Sequence, residues 1–262
     1  INIMRLKLLF LFIFLNSFLA YNQITLDKID NIKINDSYQL ISIDNIGELY
    51  FLEDDMLRKG EDYVFSDSSI GPLSKVDFYN NFKLKLWYSN YNTLVILDNF
   101  LNEITRVNFN EISSLYEISD ISSANENNIW VFDESVTRIK KFDFFKKLFI
   151  DNIETQIDGK LIDMKSNYNY LWVLTKNFLY KINYNGLIIF KTENKNEFSR
   201  LGFYKNDVIL SNNKELFHFK NEEELFIKIN LEKLFIKDFF VIDETLYIYD
   251  KDHLNKYLIL TY

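Results

Sequence analysis

The chain of 262 residues contains no cysteine, one proline (Pro72), six glycines and two histidines. Each scarcity removes a class of explanation. Without cysteine there is no disulfide, no thiolate nucleophile and no thiolate ligand for a metal, so the fold must rest on its core. Six scattered glycines exclude a phosphate-cradling loop, where glycines let backbone N–H groups approach the ligand. No Gly-x-Ser-x-Gly elbow occurs, and no Asp-rich calcium loop of EF-hand spacing. His218 sits between Phe217 and Phe219, and His253 sits beside Asp252. Two unrelated histidines do not make a metal site, which gathers several ligands with further groups behind them. The sequence therefore assigns no catalytic, cofactor-binding or metal-ligating residue and no cofactor. With so little proline and glycine, turns fall to Asn and Asp, which tolerate left-handed angles and bond their own backbone.

Hydrophobic residues make up 48% of the chain, enough for a large core, and the many Phe, Tyr, Ile and Leu suit pleated surfaces. The formal charge is −8. An acidic chain with scattered lysines lacks the basic footprint of a nucleic-acid binder and is repelled by anionic lipid.

The first twenty residues differ from the rest. Met4 reads as the initiator, Arg5 and Lys7 as a basic start, and Leu8 to Leu15 as an apolar run. That run falls short of the roughly 20 residues a bilayer span needs. Residues 1–20 are expected to be a secretory signal peptide cut after Ala20, although Phe18 fits poorly three residues before the cut. An uncleaved anchor is the alternative. The domain is then 21–262, exported to the periplasm or associated with the outer membrane or cell surface, with no transmembrane span once the signal is gone.

A repeat runs through the remainder. Ser119 to Asp143 shows it most plainly, as three strands: Ser119–Ala124, Ile129–Phe132 and Val136–Phe142. Aligned on the apolar second strand, the markers are Leu49, Leu86, Ile129, Leu171, Val208 and Leu246. Their spacings of 37, 43, 42, 37 and 38 match the length of a four-stranded propeller blade. Short apolar runs precede each marker, and alternating runs follow it. Doubly apolar second strands suit positions buried between blades, and alternating strands suit the outer edge. The sixth unit stops after three strands, and Gln23–Ile29 reads as an unattached strand. The expected fold is all-β, a single-domain propeller of six four-stranded blades, with seven as the alternative, closed by that N-terminal strand. In Asn221–Lys237 a fourth strand and a connecting loop compete with a short helical turn around Leu231–Leu234.

The run Ser69–Glu103 resembles a family of exported, single-domain propeller-like proteins common in Bacteroidota. The matching positions are Gly71, Pro72, Val76, Asp77, Leu84, Leu97, Asp98 and Asn99, followed by Trp130. The resemblance implies an exported propeller and carries over no site residues, because such proteins lack an assigned activity. The wider similarity is to propellers of the YVTN, NHL and WD40 type. The chain departs from their Gly-His…Trp-Asp and Tyr-Val-Thr-Asn signatures, and from the Ser-x-Asp-x-Gly-x-x-x-x-Trp box of sialidase-type propellers.

Two patterns invite a functional reading. Strands tend to end on a polar group: Glu53, Asp98, Asp133, Thr175 and Asp250. These are expected to cap turns rather than form a carboxylate ring. Trp87, Trp130 and Trp172 fall at equivalent positions of successive repeats and are expected to pack between blades rather than stack sugars. The function expected is a non-enzymatic binding or scaffold propeller of the bacterial cell envelope, monomeric, with another envelope protein as its partner. The alternative is a glycan hydrolase or lyase using carboxylates in the central funnel. A quinoprotein lacks its glycine- and Trp-rich docking repeats here. An enzyme should converge several charged groups in a funnel-mouth pocket. A scaffold should expose an apolar patch on one face.

Overall fold

The structure, a computed structural model, describes residues 24–261 apart from 36, 45, 168 and 233. The signal-like segment 1–20 lies outside the described residues. The first strand, β1 (Ile24–Lys33), stands away from its sequence neighbours. Blade one follows as β2 (Gln39–Ile43), β3 (Leu49–Glu53), β4 (Met56–Lys59) and β5 (Tyr63–Phe65). Blade two is β6 (Lys75–Asp77), β7 (Leu84–Tyr88), β8 (Thr93–Leu97) and β9 (Glu103–Asn108). Blade three is β10 (Ile118–Ser123), β11 (Asn128–Asp133), β12 (Arg138–Asp143) and β13 (Leu148–Gln156). Blade four is β14 (Leu161–Ser166), β15 (Tyr170–Thr175), β16 (Phe178–Asn183) and β17 (Ile188–Glu193), and blade five is β18 (Arg200–Tyr204), β19 (Asp207–Ser211), β20 (Leu216–Lys220) and β21 (Leu225–Lys228). Blade six joins β22 (Asp238–Ile242), β23 (Thr245–Asp250) and β24 (His253–Thr261) to β1. The result is a six-bladed propeller of four-stranded antiparallel sheets, closed by the N-terminal strand as expected.

Second strands are largely apolar because both of their faces are buried, with Lys85 of β7 a charged exception turned to Asp77. Ile129 and Val131 of β11 pack into the gap behind, against Trp87 and Phe109. Trp130 and Phe132 pack into the gap ahead, against Met164 and Leu171. A hydrophobic cluster of this kind fills each gap between neighbouring blades. Burying each large side chain contributes about 2–3 kcal/mol of transfer free energy.

Some local expectations shift. Val136, read as the start of a third strand, lies in the turn before β12 and is exposed. After β9 the chain makes one helical turn (Phe109–Ile112), capped by the Asn108 side chain. No helix forms among the described residues of 229–237, so the strand-and-loop reading holds there. Blade two is also displaced in register. Ile129 and Leu171 face Phe142 and Ile182, the residues just ahead of the turn-forming Asp143 and Asn183. The residue facing Leu97, just ahead of the turn-forming Asp98, is Leu84 rather than Leu86. Trp87 therefore stands two positions further along its strand than Trp130 and Trp172. A two-residue shift keeps every side chain on its own face, so the hydrophobic pattern alone does not reveal it.

Candidate functional site

Strand order gives the ring two different faces. The 1–2 turns of every blade and the 3–4 turns of blades one to five lie on one, here the turn face. The 2–3 turns and the loops between blades lie on the other, the loop face. First strands run side by side down the axis, and their polar side chains meet there.

Lys75 of β6 reaches across two blades. Its ammonium lies 2.8 Å from Asp120 Oδ1 and 3.9 Å from Asp163 Oδ1, and donates at 2.7 Å to the Met164 carbonyl. Two carboxylates thus share one cation. Burial lifts Asp120 to about 6, against the pull of Lys75 and with a push from Asp163. Burial alone would depress Lys75, but Asp120 and Asp163 outweigh it and raise the ammonium above its ordinary value. Asp163 Oδ2 also accepts the Leu201 N–H at 3.0 Å. One layer down, Asp77 accepts the Ser123 N–H at 2.8 Å and its hydroxyl at 2.5 Å. Burial works to raise Asp77, yet Lys85 and the Ser123 bonds hold it below the usual carboxylate range. Ser122 and Ser166 meet at 2.8 Å. Side chains therefore tie the first strands of blades two to five to one another, and Arg200 Nε carries the tie to the Lys237 carbonyl beside blade six at 3.1 Å.

The expected turn caps are confirmed in part. Asp98 Oδ1 accepts the N–H groups of Phe100 and Asn102, both at 2.8 Å. Thr175 Oγ1 accepts the Phe178 N–H at 2.9 Å, and Asp133 accepts the Ser135 hydroxyl. Glu53 instead pairs with Arg58, and Asp250 keeps a buried carboxylate oxygen without a hydrogen-bond partner. They form no carboxylate ring. The three tryptophans are buried to 1–3% exposure, so none offers a stacking platform. His218 is buried and 2.7 Å from Asp207. His253 stands on the loop face, 2.8 Å from Asp252. Asp252 borders a cleft of about 410 Å³ between blades six and one, with Tyr38, Tyr249, Lys237 and Asp54.

A second belt, unforeseen from the sequence, lies near the turn face. Third-strand cations face second-strand aromatics: Lys59 opposite Tyr50, Lys141 opposite Trp130, Lys181 opposite Trp172 and Lys256 opposite Tyr247. Each ammonium sits over its partner's ring, at 5.5, 4.4, 5.5 and 5.5 Å from the centroid. Three also reach into the next blade's 3–4 turn. Lys59 donates to the Asn99 carbonyl at 3.4 Å, Lys141 to the Tyr184 carbonyl at 2.5 Å, and Lys181 to Asn221 Oδ1 at 2.7 Å. These lysines strap neighbouring blades together. Aligning the third strands on Lys59, Lys141, Lys181 and Lys256 is the signal that would have found them.

Outside this belt the turn face of blades one to four exposes large apolar side chains among charged ones such as Glu61, Asp62, Glu126 and Lys147. Ile46, Phe82, Phe100, Phe145, Tyr184 and Leu187 stand on its turns, each between 46% and 76% exposed. Tyr63 and Phe100 meet at a tilt, 5.5 Å between ring centres, across neighbouring 3–4 turns, which joins blades one and two into one surface. Blades five and six present Glu222, Glu224, Asp243 and Glu244, all exposed. Among the described residues, no helix is long and apolar enough to cross a membrane.

Compared by sequence, the chain matches no protein-family model and no curated protein. Compared by structure, it is similar to several propellers. Virginiamycin B lyase from Staphylococcus aureus is 12% identical with a TM-score of 0.63, over 85% of this chain and 80% of that one. The propeller domain of Cps50 (Swd1) from Myceliophteria thermophila is 9% identical with a TM-score of 0.61, over 90% and 100%. BamB from Moraxella catarrhalis is 12% identical with a TM-score of 0.54, over 89% and 98%. At these identities the likeness establishes the propeller fold alone.

Proposed function

We propose that the protein is a non-enzymatic binding propeller, exported to the cell envelope, which holds a protein partner on its turn face. The observation that carries this reading is the row of exposed aromatic and aliphatic side chains on blades one to four. Water-facing side chains of that size, gathered on one rigid face, are what an interaction surface presents. The propeller supplies the rigidity, and its turns supply the contacts.

The alternative, a glycan hydrolase or lyase working from the funnel, draws on the axial carboxylates. Chemistry of that kind needs carboxyl groups free to exchange a proton with substrate. Here the carboxylates are engaged by Lys75, Ser123 and the Leu201 N–H, and they knit the ring together. A structural neighbour is a lyase, but others are a WD40-type domain and BamB, so the shared fold favours neither reading.

The test is cross-linking of the chain to an envelope fraction, comparing wild type with the double substitution Phe82→Ser and Phe145→Ser. A specific cross-linked species that disappears in the variant is the expected result. Unchanged cross-linking, or polysaccharide turnover that Asp120→Asn abolishes, would sink the proposal.

A further inference from the structure

The cleft of about 410 Å³ between blades six and one has walls of opposite charge. It opens on the loop face, across the ring from the docking surface proposed above, and stands or falls without that reading. Blade one supplies the β3–β4 turn. Glu53 faces Met56, which leaves Asp54 and Asp55 at the tip, both left-handed, at φ of 45° and 65°. Such a turn favours Asn-Gly or Asp-Gly. Here it sets two carboxylates on the cleft wall instead. Blade six supplies Lys237, just ahead of β22, and Lys251, on the β23–β24 turn. Ile34 and Tyr249, both buried, form the floor. The Lys237 ammonium stands 4.6 Å from the centre of the Tyr249 ring, which holds it over that floor.

All four charged side chains are exposed. Among the described residues, none of the four makes an ion pair or a side-chain hydrogen bond. The other charges nearby are matched or turned away. Asp252 Oδ1 lies 2.8 Å from His253 Nδ1, and that hydrogen bond, helped by the Lys33 charge, holds the carboxyl below its ordinary value. Glu53 pairs with Arg58, and Asp238 faces Arg200 at 3.5 Å. Asp250 lies on the other face of β23 from Tyr249. What remains is two carboxylates on one blade and two ammoniums on the next, equal in number and held apart.

We infer that this cleft binds a short peptide with both termini free, its α-ammonium on Asp54 and Asp55 and its α-carboxylate on Lys237 and Lys251. A simple anion or cation answers only one wall. The volume exceeds what a single amino acid fills. It suits a peptide of two or three residues, whose termini stand about 7–10 Å apart when extended. An apolar side chain of that peptide rests on Ile34 and Tyr249.

The experiment is equilibrium dialysis of the chain against a mixture of synthetic dipeptides and tripeptides, read by mass spectrometry, with calorimetric titration of the peptides retained. Acetylating the N-terminus of a retained peptide should weaken it about tenfold or more, and amidating its C-terminus should do the same. Capping the ligand probes these contacts without disturbing the fold. Asp54→Asn with Asp55→Asn keeps residues that accept left-handed angles. It should weaken free peptides about tenfold and leave acetylated ones unchanged. Lys237→Gln with Lys251→Gln should weaken free peptides equally and leave amidated ones unchanged. Circular dichroism melts check that both variants remain folded. Phe82→Ser with Phe145→Ser should leave peptide binding as it is, which separates this site from the turn face. A mixture from which nothing is retained, caps that are tolerated, or binding indifferent to either double substitution in the cleft overturns the inference. Loss of binding in the phenylalanine variant moves the peptide to the turn face and overturns it as well.

Discussion

The gap between blades three and four and the gap between blades six and one place different residues at the same structural position. Trp130 faces Lys141 in the first, and Tyr247 faces Lys256 in the second. Around Trp130 the gap is filled by Phe132, Met164, Leu171 and Tyr180. Around Tyr247 it holds Tyr249, Leu40, Ile43 and Ile34, and it opens into the cleft on the loop face. The first gap is packed around Trp130, and on the loop face it too meets a cleft, of about 400 Å³, beside Phe132, Ile157 and Leu161. The second uses tyrosines, whose hydroxyl ends tolerate water, where the gap meets solvent. Blade six also lacks the covalent 3–4 turn of the other blades. It relies on the β1–β24 ladder, continuous from Ile24 opposite Thr261 to Lys33 opposite His253 except for one bulge. The ring is thus sealed by apolar packing in its interior gaps and by backbone pairing where it closes.

Removing the closing strand, residues 24–33, should have the largest effect. It leaves β24 as a bare edge and exposes Tyr257 and Ile259, so stability should fall by about 5 kcal/mol or more, with loss of a single cooperative urea transition. An unchanged unfolding midpoint would show that the ring does not depend on its closure. Next come the matched positions. Trp130→Ala should lose about 3–5 kcal/mol, and Tyr247→Ala roughly 2 kcal/mol, in chemical denaturation. Equal losses would erase the contrast between the two gaps.

The axial cluster allows a pH test. Asp120 titrates near 6 in the fold and near its ordinary value of 3.8 when unfolded. The native state therefore holds the extra proton between those values, and Asp120 draws stability down as pH rises through that window. Stability measured from pH 4 to pH 7 should fall in wild type by on the order of 2 kcal/mol relative to Asp120→Asn. Parallel profiles for the two proteins would show that Lys75 fully compensates the carboxylate. The smallest effect on folding belongs to Phe82→Ser. It should change the melting free energy by no more than about 0.5 kcal/mol, because the side chain is 73% exposed. A large loss would place Phe82 in the packing rather than on a docking surface.

Much of this architecture was legible in the sequence. The second strands at Ile129–Phe132 and Leu171–Leu174 are apolar on both faces, which only burial between two layers explains, and their spacing set the blade count. The unattached strand at the N-terminus pointed to the closure. The blade-two register was hidden, since Leu84 and Leu86 lie on the same face. Val136 was misplaced because an apolar residue at an exposed turn looks like the start of an alternating strand. The Lys75–Asp120–Asp163 cluster depends on first strands brought together across the axis, 45 residues apart in sequence for the shortest link. Local pattern carries no information about that meeting. The apolar turn face was expected only in kind: Phe82, Phe100 and Phe145 each look like ordinary turn-flanking residues until the ring sets them side by side.

Ile24 stands opposite Thr261 at one end of the closing ladder. A mechanical load that separates these two residues acts across the ladder, not along it. Its hydrogen bonds then carry the force one pair at a time, and the strand peels from Ile24 towards Lys33 like a zip. A load that drags β1 lengthwise past β24 must instead break the whole row together. Pulling direction, rather than temperature, therefore decides how firmly this ring stays shut.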